Sequence, residues 1–169
     1  VALPNKGRLS EQSLALFEQA GLKAAFRADR ALVASLGGEF EAIFVRAGDV
    51  PEYIADGAAE IGVTGADLVA ESGRDIEEVL DLGFGRCRLA IAVKDEARVE
   101  RASDLPAGTR VATSFPAIAR RYFERIGTEI QVAPVGGAAE IAPHLGVADV
   151  IVDLVSTGST LRVNGLREV

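Results

Sequence analysis

The sequence predicts an α/β fold with two lobes built on mainly parallel sheets. Short apolar runs alternate with segments of helical length along all 169 residues, the order typical of parallel sheets whose faces are covered by helices. Hydrophobic residues make up 49% of the chain and are spread along its whole length, which is enough to bury a core. The chain length fits one large domain or two small lobes. We expect two lobes with a break near residues 85–95, and we place them at residues 1–88 and 89–169.

The first half of the chain begins with a predicted strand, a turn and a helix. Val1–Leu3 is short and apolar, and Pro4–Arg8 has the composition of a turn. Ser10 is a suitable N-cap for a helix over Glu11–Ala20, which Gly21 would end. The elements predicted after this helix are a hairpin of Ala31–Leu36 and Glu41–Arg46 around Gly37–Gly38, a helix from Asp49 and Pro51 to Gly57, a strand at Glu60–Thr64, a helix at Asp67–Ser72 and a strand at Glu78–Leu82.

The second half alternates more regularly between the two kinds of element. The predicted strands are Cys87–Val93, Arg110–Thr113, Ile130–Pro134 and Ala148–Asp153. The predicted helices are Pro116–Ile126, Ala138–Leu145 and Thr157–Val163. This repeated order is the main reason for expecting parallel strands.

Charge and composition exclude several classes of function. The chain has 18 lysines and arginines against 25 acids, a net charge of −7, whereas nucleic-acid binders usually carry a basic patch or excess. His144 is the single histidine and Cys87 the single cysteine, so we expect neither a histidine zinc cluster nor an intrachain disulfide. The start, VALPNKGRLSEQ, lacks a signal-peptide pattern, and no apolar run has transmembrane length. We therefore expect a cytoplasmic protein that binds neither nucleic acid nor membrane.

The segment ADVIVDLVSTGSTL, Ala148–Leu161, carries the strongest chemical signal. It predicts a buried strand, then the turn Ser156-Thr157-Gly158-Ser159-Thr160, then a helix. Such a turn offers hydroxyls and backbone amides to phosphate oxygens. Asp153, at the expected carboxyl end of the strand, would repel phosphate, so we assign it to ribose hydroxyls. An ordinary strand–turn–helix with Ser/Thr capping is the alternative.

This segment resembles the motif with which phosphoribosyltransferases bind 5-phosphoribosyl-1-pyrophosphate (PRPP). In that motif two adjacent acids precede a hydroxyl-rich phosphate loop. Val152 stands at the position of the first acid, and Asp153 matches the second. The departure indicates a divergent branch rather than the common phosphoribosyltransferase fold.

A resemblance to the ATP phosphoribosyltransferases of histidine biosynthesis extends nearly from end to end. Five segments in the family's order carry it, and together they are far more specific than any one of them. They are LPNKGRL at Leu3–Leu9, RAGDVPEYIADGAAEIGVTGADLVAESG at Arg46–Gly73, DLGFGRCRLAIAV at Asp81–Val93, RVATSFPAIARRYF at Arg110–Phe123 and GGAAEIAPHLGVADVIVDLVSTGSTLRVNGL at Gly136–Leu166.

The resemblance implies a fold, a reaction and partners. The fold would be similar to type II periplasmic binding proteins, with a cleft between two lobes and the first lobe completed by the C-terminal end. The enzyme, a glycosyltransferase, would condense ATP with PRPP to N1-(5-phosphoribosyl)-ATP and pyrophosphate, with Mg²⁺ as cofactor and no covalent nucleophile. Its partners would be further copies of itself and a regulatory subunit resembling histidyl-tRNA synthetase. The alternative function is a non-catalytic protein of the same fold that binds a small anion or solute.

The resemblance also implies site residues in both lobes. PRPP would be bound by residues of the second lobe, namely Glu140, Asp153, Ser156, Thr157, Gly158, Ser159 and Thr160. ATP or pyrophosphate would be bound by Lys6, Gly7, Arg8, Arg46 and Phe115, with the Phe115 ring stacked on adenine. By local pattern alone, Lys6 and Arg8 also fit a solvated turn, and Glu140 fits a favourable acid near a helix N-terminus. Phe115 would be equally ordinary as an aromatic residue of the core.

Overall fold

The computed structural model describes residues 1–28 and 31–169, which divide into two compact units, Val1–Gly85 and Arg86–Val169. The division falls slightly before the expected boundary after Arg88. Among these residues each unit has its own sheet, of four strands in the first and five in the second. No helix in the described ranges is long and apolar enough to cross a membrane.

The first unit is built on a sheet of mixed direction. Its strands are β1 (Ala2–Pro4), β2 (Ala24–Phe26), β3 (Val33–Leu36) and β4 (Phe40–Val45), in the spatial order β1-β4-β3-β2. β1 and β4 are parallel, whereas β3 is antiparallel to both of its neighbours. Its helices are α1 (Gly7–Gln19), α2 (Val50–Ala55) and α3 (Ala66–Ser72). Leu3, Leu36 and Phe44 form the core of this sheet, and Leu14 and Phe17 of α1 pack against them.

Helix α1 begins earlier than the sequence predicts. Its N-cap is Lys6, whereas Ser10, the expected cap, is buried inside the helix. Gly7 has a φ of 78°, a left-handed conformation that glycine adopts without steric cost. The chain therefore turns from β1 into α1 within a shorter turn than the expected Pro4–Arg8.

Other differences in the first unit concern short extended segments. Residues 60–64 do not form a full strand and pair with β1 only through a bridge between Ala2 and Gly62. Residues 78–82 form no strand, and Val79 and Leu80 are 72% and 71% exposed. The short strand β2 was not predicted. A strand needs a pairing partner, and the hydrophobic pattern of a short segment does not identify one.

The second unit contains the predicted PRPP loop. Its strands are β5 (Arg88–Lys94), β6 (Thr109–Thr113), β7 (Ile130–Pro134), β8 (Val150–Val155) and β9 (Leu166–Glu168), in the spatial order β7-β6-β8-β5-β9. β6 is parallel to β7 and β8, whereas β5 is antiparallel to β8 and β9. Helix α4 (Pro116–Arg125) packs on β7, and the short helix α5 (Ser159–Val163) follows β8. Val111, Phe123 and Val150 belong to the core of this unit.

Both sheets are mixed, which corrects the expectation of mainly parallel sheets, while the α/β class is confirmed. Strand β5 is nearly continuous in apolar residues, and such a pattern fits either strand direction. Strand β9 pairs with β5, so the last residues of this chain lie in the second unit and do not complete the first. The helix expected at Ala138–Leu145 is only a 3₁₀ helix at Ala139–Ile141 followed by turns.

The buried ring of Phe123 gives a test of the second unit's core. Phe123 is 0% exposed, so we expect Phe123→Ala to lower the free energy of unfolding of this unit by about 3–5 kcal/mol, because a cavity replaces the ring. Urea unfolding followed by circular dichroism measures the loss. Val163→Ala is the control, since Val163 is 85% exposed and its truncation should change stability by less than about 0.5 kcal/mol. Equal losses in the two variants would contradict this packing.

Candidate active site

Three loops of the second unit lie side by side at one edge of its sheet. They follow β6, β7 and β8, whose parallel pairing brings the three carboxyl ends to the same edge. Thr113 pairs with Pro134 on one side and with Val152 on the other, so β6 and β7 end at the same level, whereas β8 continues beyond it to Val155. In open α/β sheets, ligands bind outside the carboxyl ends of the strands. This edge is therefore the candidate site in the second unit.

The loop after β8, residues 156–160, is called the hydroxyl loop below. Its exposed side chains are Ser156, Thr157, Ser159 and Thr160. Within the described part of the chain, the backbone amides of Ser156, Thr157, Gly158 and Thr160 donate to no protein acceptor. Gly158 has a φ of 73°, which lets the backbone reverse into α5. The loop thus offers amide donors of the kind that bind phosphate oxygens, while the hydroxyls of Thr157 and Ser159 form a 2.9 Å hydrogen bond with each other.

A half-buried carboxylate, Asp153, lies just before the hydroxyl loop. The sequence predicts it at the end of the strand, but β8 continues to Val155 and Asp153 pairs in register with Ala90. Its Oδ1 accepts a hydrogen bond of 2.7 Å from the amide of Leu154. Burial, with a contribution from the negative charge of Glu140, raises the pKa of Asp153 above its ordinary value. The fold therefore holds two carboxylates within electrostatic reach of each other.

Glu140 approaches Asp153 from the loop that follows β7. It lies in the 3₁₀ helix Ala139–Ile141, which contacts β8. Ala138, just before this helix, has a φ of 51°, a left-handed conformation that costs a non-glycine residue about 1–2 kcal/mol. Strained backbone is often retained where it positions a functional group. The 3₁₀ helix that follows this bend contacts β8, and the charge of Glu140 acts on Asp153.

Phe115 does not offer the open aromatic face that the sequence predicts. It is the N-cap of α4 and only 5% exposed, and its amide donates to Thr113 Oγ1 at 2.9 Å. A ring buried to this extent contributes to packing. The expected stacking of Phe115 on adenine is therefore not available in this conformation.

The other predicted contacts lie in the first unit. Lys6, Gly7 and Arg8 follow β1 and Arg46 follows β4, and all four are exposed. Because β1 and β4 are parallel, with Pro4 opposite Val45, the cations lie at the same edge of the sheet. Two cations on one strand end and a third on its neighbour suit a polyphosphate.

Two residues near these sites were missed by the sequence reasoning. Thr64 Oγ1 donates to the carbonyl of Ala47 at 2.7 Å, which ties the segment after Gly62 to the turn that follows Arg46. The GVTG pattern around Thr64 could have identified this residue from the sequence.

Arg162 is the missed residue of the second unit. A Cβ placed on Gly158 would lie 3.4 Å from Arg162 Nη1. Arg162 lies in the last turn of α5, where cations are common, so its position in the sequence gives no reason to single it out.

The described residues do not form a resident metal site by themselves. Among the described residues, no group of three or more His, Cys, Asp or Glu side chains is arranged to hold a metal ion. Mg²⁺ usually keeps several waters and binds through substrate phosphates together with one or two carboxylates. Asp153 and Glu140 are the neighbouring carboxylates at the candidate site, so the donor set suits a Mg²⁺ ion that arrives with a phosphorylated substrate.

Sequence comparisons connect this geometry with a known family. The model of the ATP phosphoribosyltransferase (HisG) family matches residues 46–169, which include the hydroxyl loop and both carboxylates. The chain belongs to the ATP phosphoribosyltransferase family. It is 64% identical over 172 residues to the ATP phosphoribosyltransferase of Gemmatimonas aurantiaca, covering 100% of this chain and 59% of that protein. It is 51% identical over 170 residues to that of Methanopyrus kandleri, covering 100% of this chain and 60% of that protein. The chain thus spans about three fifths of the length of these curated relatives.

Solved structures support the same family. The ATP phosphoribosyl transferase (HisG:HisZ) complex from Thermotoga maritima matches with a TM-score of 0.85 and 30% identity, covering 99% of this chain and 79% of that chain. The alkanesulfonate-binding protein SsuA from Xanthomonas axonopodis pv. citri, bound to MOPS, matches with a TM-score of 0.59 and 19% identity, covering 99% of this chain and 59% of that chain. The second likeness shows the fold alone, and it confirms the expected similarity to periplasmic binding proteins.

The raised pKa of Asp153 predicts how the stability of this chain depends on pH. A group whose pKa is raised by folding favours the folded state when protonated, so this stabilisation is lost as pH rises through the raised pKa. We expect Asp153→Asn to raise the melting temperature at pH 7, because it removes a half-buried charge that Glu140 repels. The gain should shrink to near zero as pH falls below the ordinary pKa of an aspartate, about 4, where this carboxyl is protonated in both the folded and the unfolded chain.

Asp149→Asn is the matched control for this measurement. Arg110 forms a 2.8 Å ion pair with Asp149 and lowers the pKa of that carboxyl, so its stabilisation is present at neutral pH and lost as pH falls through the lowered pKa. We expect Asp149→Asn to lower the melting temperature at pH 7, with a deficit that narrows in acid. Thermal unfolding of both variants between pH 3 and 8 checks the two opposite signs. The same sign in both variants would refute the electrostatic account of Asp153.

Proposed function

We propose that this chain carries the catalytic activity of an ATP phosphoribosyltransferase, which joins ATP to PRPP and releases N1-(5-phosphoribosyl)-ATP and pyrophosphate. In this role it performs the first step of histidine biosynthesis. The observation that supports the proposal most directly is the open hydroxyl loop beside the Asp153–Glu140 pair, within the part of the chain that matches the family. The loop suits an anion and the pair suits hydroxyl groups, and a phosphorylated ribose carries both.

The hydroxyl loop would bind the 5′-phosphate of PRPP. Ser156, Thr157, Ser159 and Thr160 offer hydroxyls, and the amides of the loop are free to donate. Asp153 and Glu140 would accept hydrogen bonds from the ribose hydroxyls, which are donors that an ionised carboxylate binds strongly. Ligand binding would thus offset the repulsion between the two carboxylates that the unliganded site carries.

The chemistry would be a direct displacement at the ribose C1 carbon. The lone pair of adenine N1 forms the new N1–C1 bond while the bond from C1 to the pyrophosphate oxygen breaks, and that bond's electrons leave with pyrophosphate. Because adenine N1 is a weak nucleophile, alignment of the two substrates must supply much of the rate, and orientation can contribute roughly 7–11 kcal/mol. No side chain is required to form a covalent intermediate.

The cations of the first unit would bind the remaining phosphates. Lys6, Arg8 and Arg46 are exposed at the edge where β1 and β4 end, and we assign them to ATP or to the pyrophosphate group. Gly7 allows the backbone to turn closely there. Magnesium would enter as part of the PRPP–Mg²⁺ substrate, where it neutralises charge on the leaving pyrophosphate. Phe115 would stay in the protein core unless ligand binding exposed its ring.

The family also suggests partners. A solved HisG:HisZ complex is among the structures similar to this chain, which supports a regulatory subunit resembling histidyl-tRNA synthetase. We propose in addition a homo-oligomeric assembly in the cytoplasm. The alternative, a non-catalytic anion-binding protein of the same fold, would bind PRPP without turnover.

Asp153→Asn tests the proposed PRPP site. The variant should bind PRPP about 10- to 100-fold more weakly than the wild-type chain, because a hydrogen bond to a charged acceptor is lost, and Glu140→Gln should have a similar effect. Isothermal titration calorimetry measures both. Asp149→Asn is the control, because Asp149 pairs with Arg110 before β8 begins and should leave PRPP affinity unchanged. Because Asp153→Asn should be more stable than the wild-type chain at pH 7, weaker PRPP binding by this variant could not be attributed to unfolding.

Catalysis is tested by incubating the chain with ATP, PRPP and Mg²⁺ and detecting the product by mass. We expect N1-(5-phosphoribosyl)-ATP and pyrophosphate in equal amounts, and neither when PRPP is omitted. The assay is repeated with a regulatory subunit added. PRPP binding without product in both conditions would favour the non-catalytic alternative. Unchanged PRPP affinity in both carboxylate variants would remove Asp153 and Glu140 from the site.

A further inference from the structure

Arg162 lies beside the hydroxyl loop, and its guanidinium donors have no partner among the described residues. It stands in α5, and its backbone amide donates to the carbonyl of Gly158 at 3.2 Å. Its guanidinium forms no hydrogen bond and no ion pair within 4 Å among the described residues. A Cβ on Gly158 would lie 3.4 Å from Arg162 Nη1, so the cation is close to the centre of the loop.

Other arginines of this part of the second unit are already engaged. Arg88 binds Glu168 through two parallel hydrogen bonds of 2.6 Å and 2.7 Å. Arg167 donates to the carbonyls of Ala97 and Val99 at 2.6 Å and 2.7 Å. The bidentate pair with Glu168 holds Arg88 in place, and the two backbone carbonyls engage the Nη2 atom of Arg167. Arg162 is therefore the neighbouring cation that remains available to a ligand.

Glu168 would compete with a phosphate for Arg162 if it were free. The Cβ position of Gly158 lies 3.5 Å from Glu168 Oε1, so this carboxylate also faces the loop. Hydrogen bonds from Arg88 lower the pKa of Glu168, and the more distant charge of Arg162 adds to the effect. Because Arg88 occupies both carboxylate oxygens, the charge of Glu168 is already balanced by Arg88, and Glu168 acts on Arg162 through a weaker electrostatic interaction without a hydrogen bond.

We infer that Arg162 is a further phosphate-binding residue, which contacts the 5′-phosphate of PRPP in the hydroxyl loop, and that the Arg88–Glu168 pair keeps it available. The inference rests on the proposed function. It explains how an acidic chain binds an anion next to two carboxylates, because a guanidinium supplies the charge that hydroxyls and amides lack. It also gives a second reason for glycine at position 158, since a side chain there would occupy the space between the cation and the loop.

The test compares binding of PRPP and of ribose 5-phosphate, which lacks the pyrophosphate group. Arg162→Gln should weaken both ligands by a similar factor of about 10 to 100, because a charge-assisted contact to their shared phosphate is lost. Arg162→Lys keeps the charge without the planar fork and should lie between wild type and Arg162→Gln. Arg125→Gln is the matched control, an exposed arginine in the last turn of α4, whose guanidinium lies over the Tyr122 ring. Its affinities should equal those of the wild type.

A separate pair of variants tests whether Arg88, by binding Glu168, keeps Arg162 available to the phosphate. Arg88→Gln should weaken both ligands by a smaller factor, because the released Glu168 carboxylate then attracts Arg162. Adding Glu168→Gln to that variant should restore affinity, which a purely structural role of the Arg88–Glu168 pair would not produce. Failure of this rescue would overturn the role of Arg88.

The outcomes separate this inference from the proposed function. If the wild-type chain binds neither PRPP nor ribose 5-phosphate, the proposed PRPP site fails and this inference fails with it. If the wild-type chain binds both and Arg162→Gln binds them equally well, only the assignment of Arg162 is overturned. A loss confined to PRPP would place Arg162 on the pyrophosphate and would also overturn the assignment. Thermal unfolding of each variant verifies that it is folded.

Discussion

The parallel pairing of β6 with both β7 and β8 is the constraint on which the second unit's site depends. Thr113 at the end of β6 is opposite Pro134 and Val152, so three loops from distant parts of the sequence start at one edge. Val111 and Val150 are buried in the adjoining core, and a shift of one residue would move such side chains to the other face of the sheet. The core therefore fixes the register, and the register fixes which polar groups meet.

The charges at this edge illustrate how a chain with a net charge of −7 can present an anion site. Hydroxyls and amides of the hydroxyl loop are neutral donors, and they bind phosphate without adding local positive charge. Asp153 and Glu140 repel one another and are partly desolvated, which is unfavourable for the unliganded protein. Functional sites often retain such unfavourable arrangements because the ligand satisfies them. The Arg88–Glu168 pair limits the local negative charge, because it neutralises the acid that faces Gly158.

The local sequence pattern was sufficient to predict the structure of segments whose conformation depends on their own residues. The hydroxyl loop, the turn between β3 and β4 and the start of α4 at Pro116 are all visible in the sequence, because glycine, proline and hydroxyl residues act within a few positions. Local pattern was insufficient where a distant partner decides. Residues 78–82 have a strand-like composition but do not pair as a strand. The position of Phe115 in the sequence suggested a ligand contact, but its side chain is buried.

The sequence by itself determined the family, the α/β class and the order of strand, hydroxyl loop and helix around Asp153, because these depend on residue identity and on neighbours along the chain. Tertiary structure alone decided that both sheets are mixed, that Glu140 faces Asp153 and that Arg162 is left unpaired beside Gly158. The physical reason is that hydrophobic periodicity records burial but not strand direction. Pairing between charges is likewise set by distances in space, which separation along the chain does not reveal.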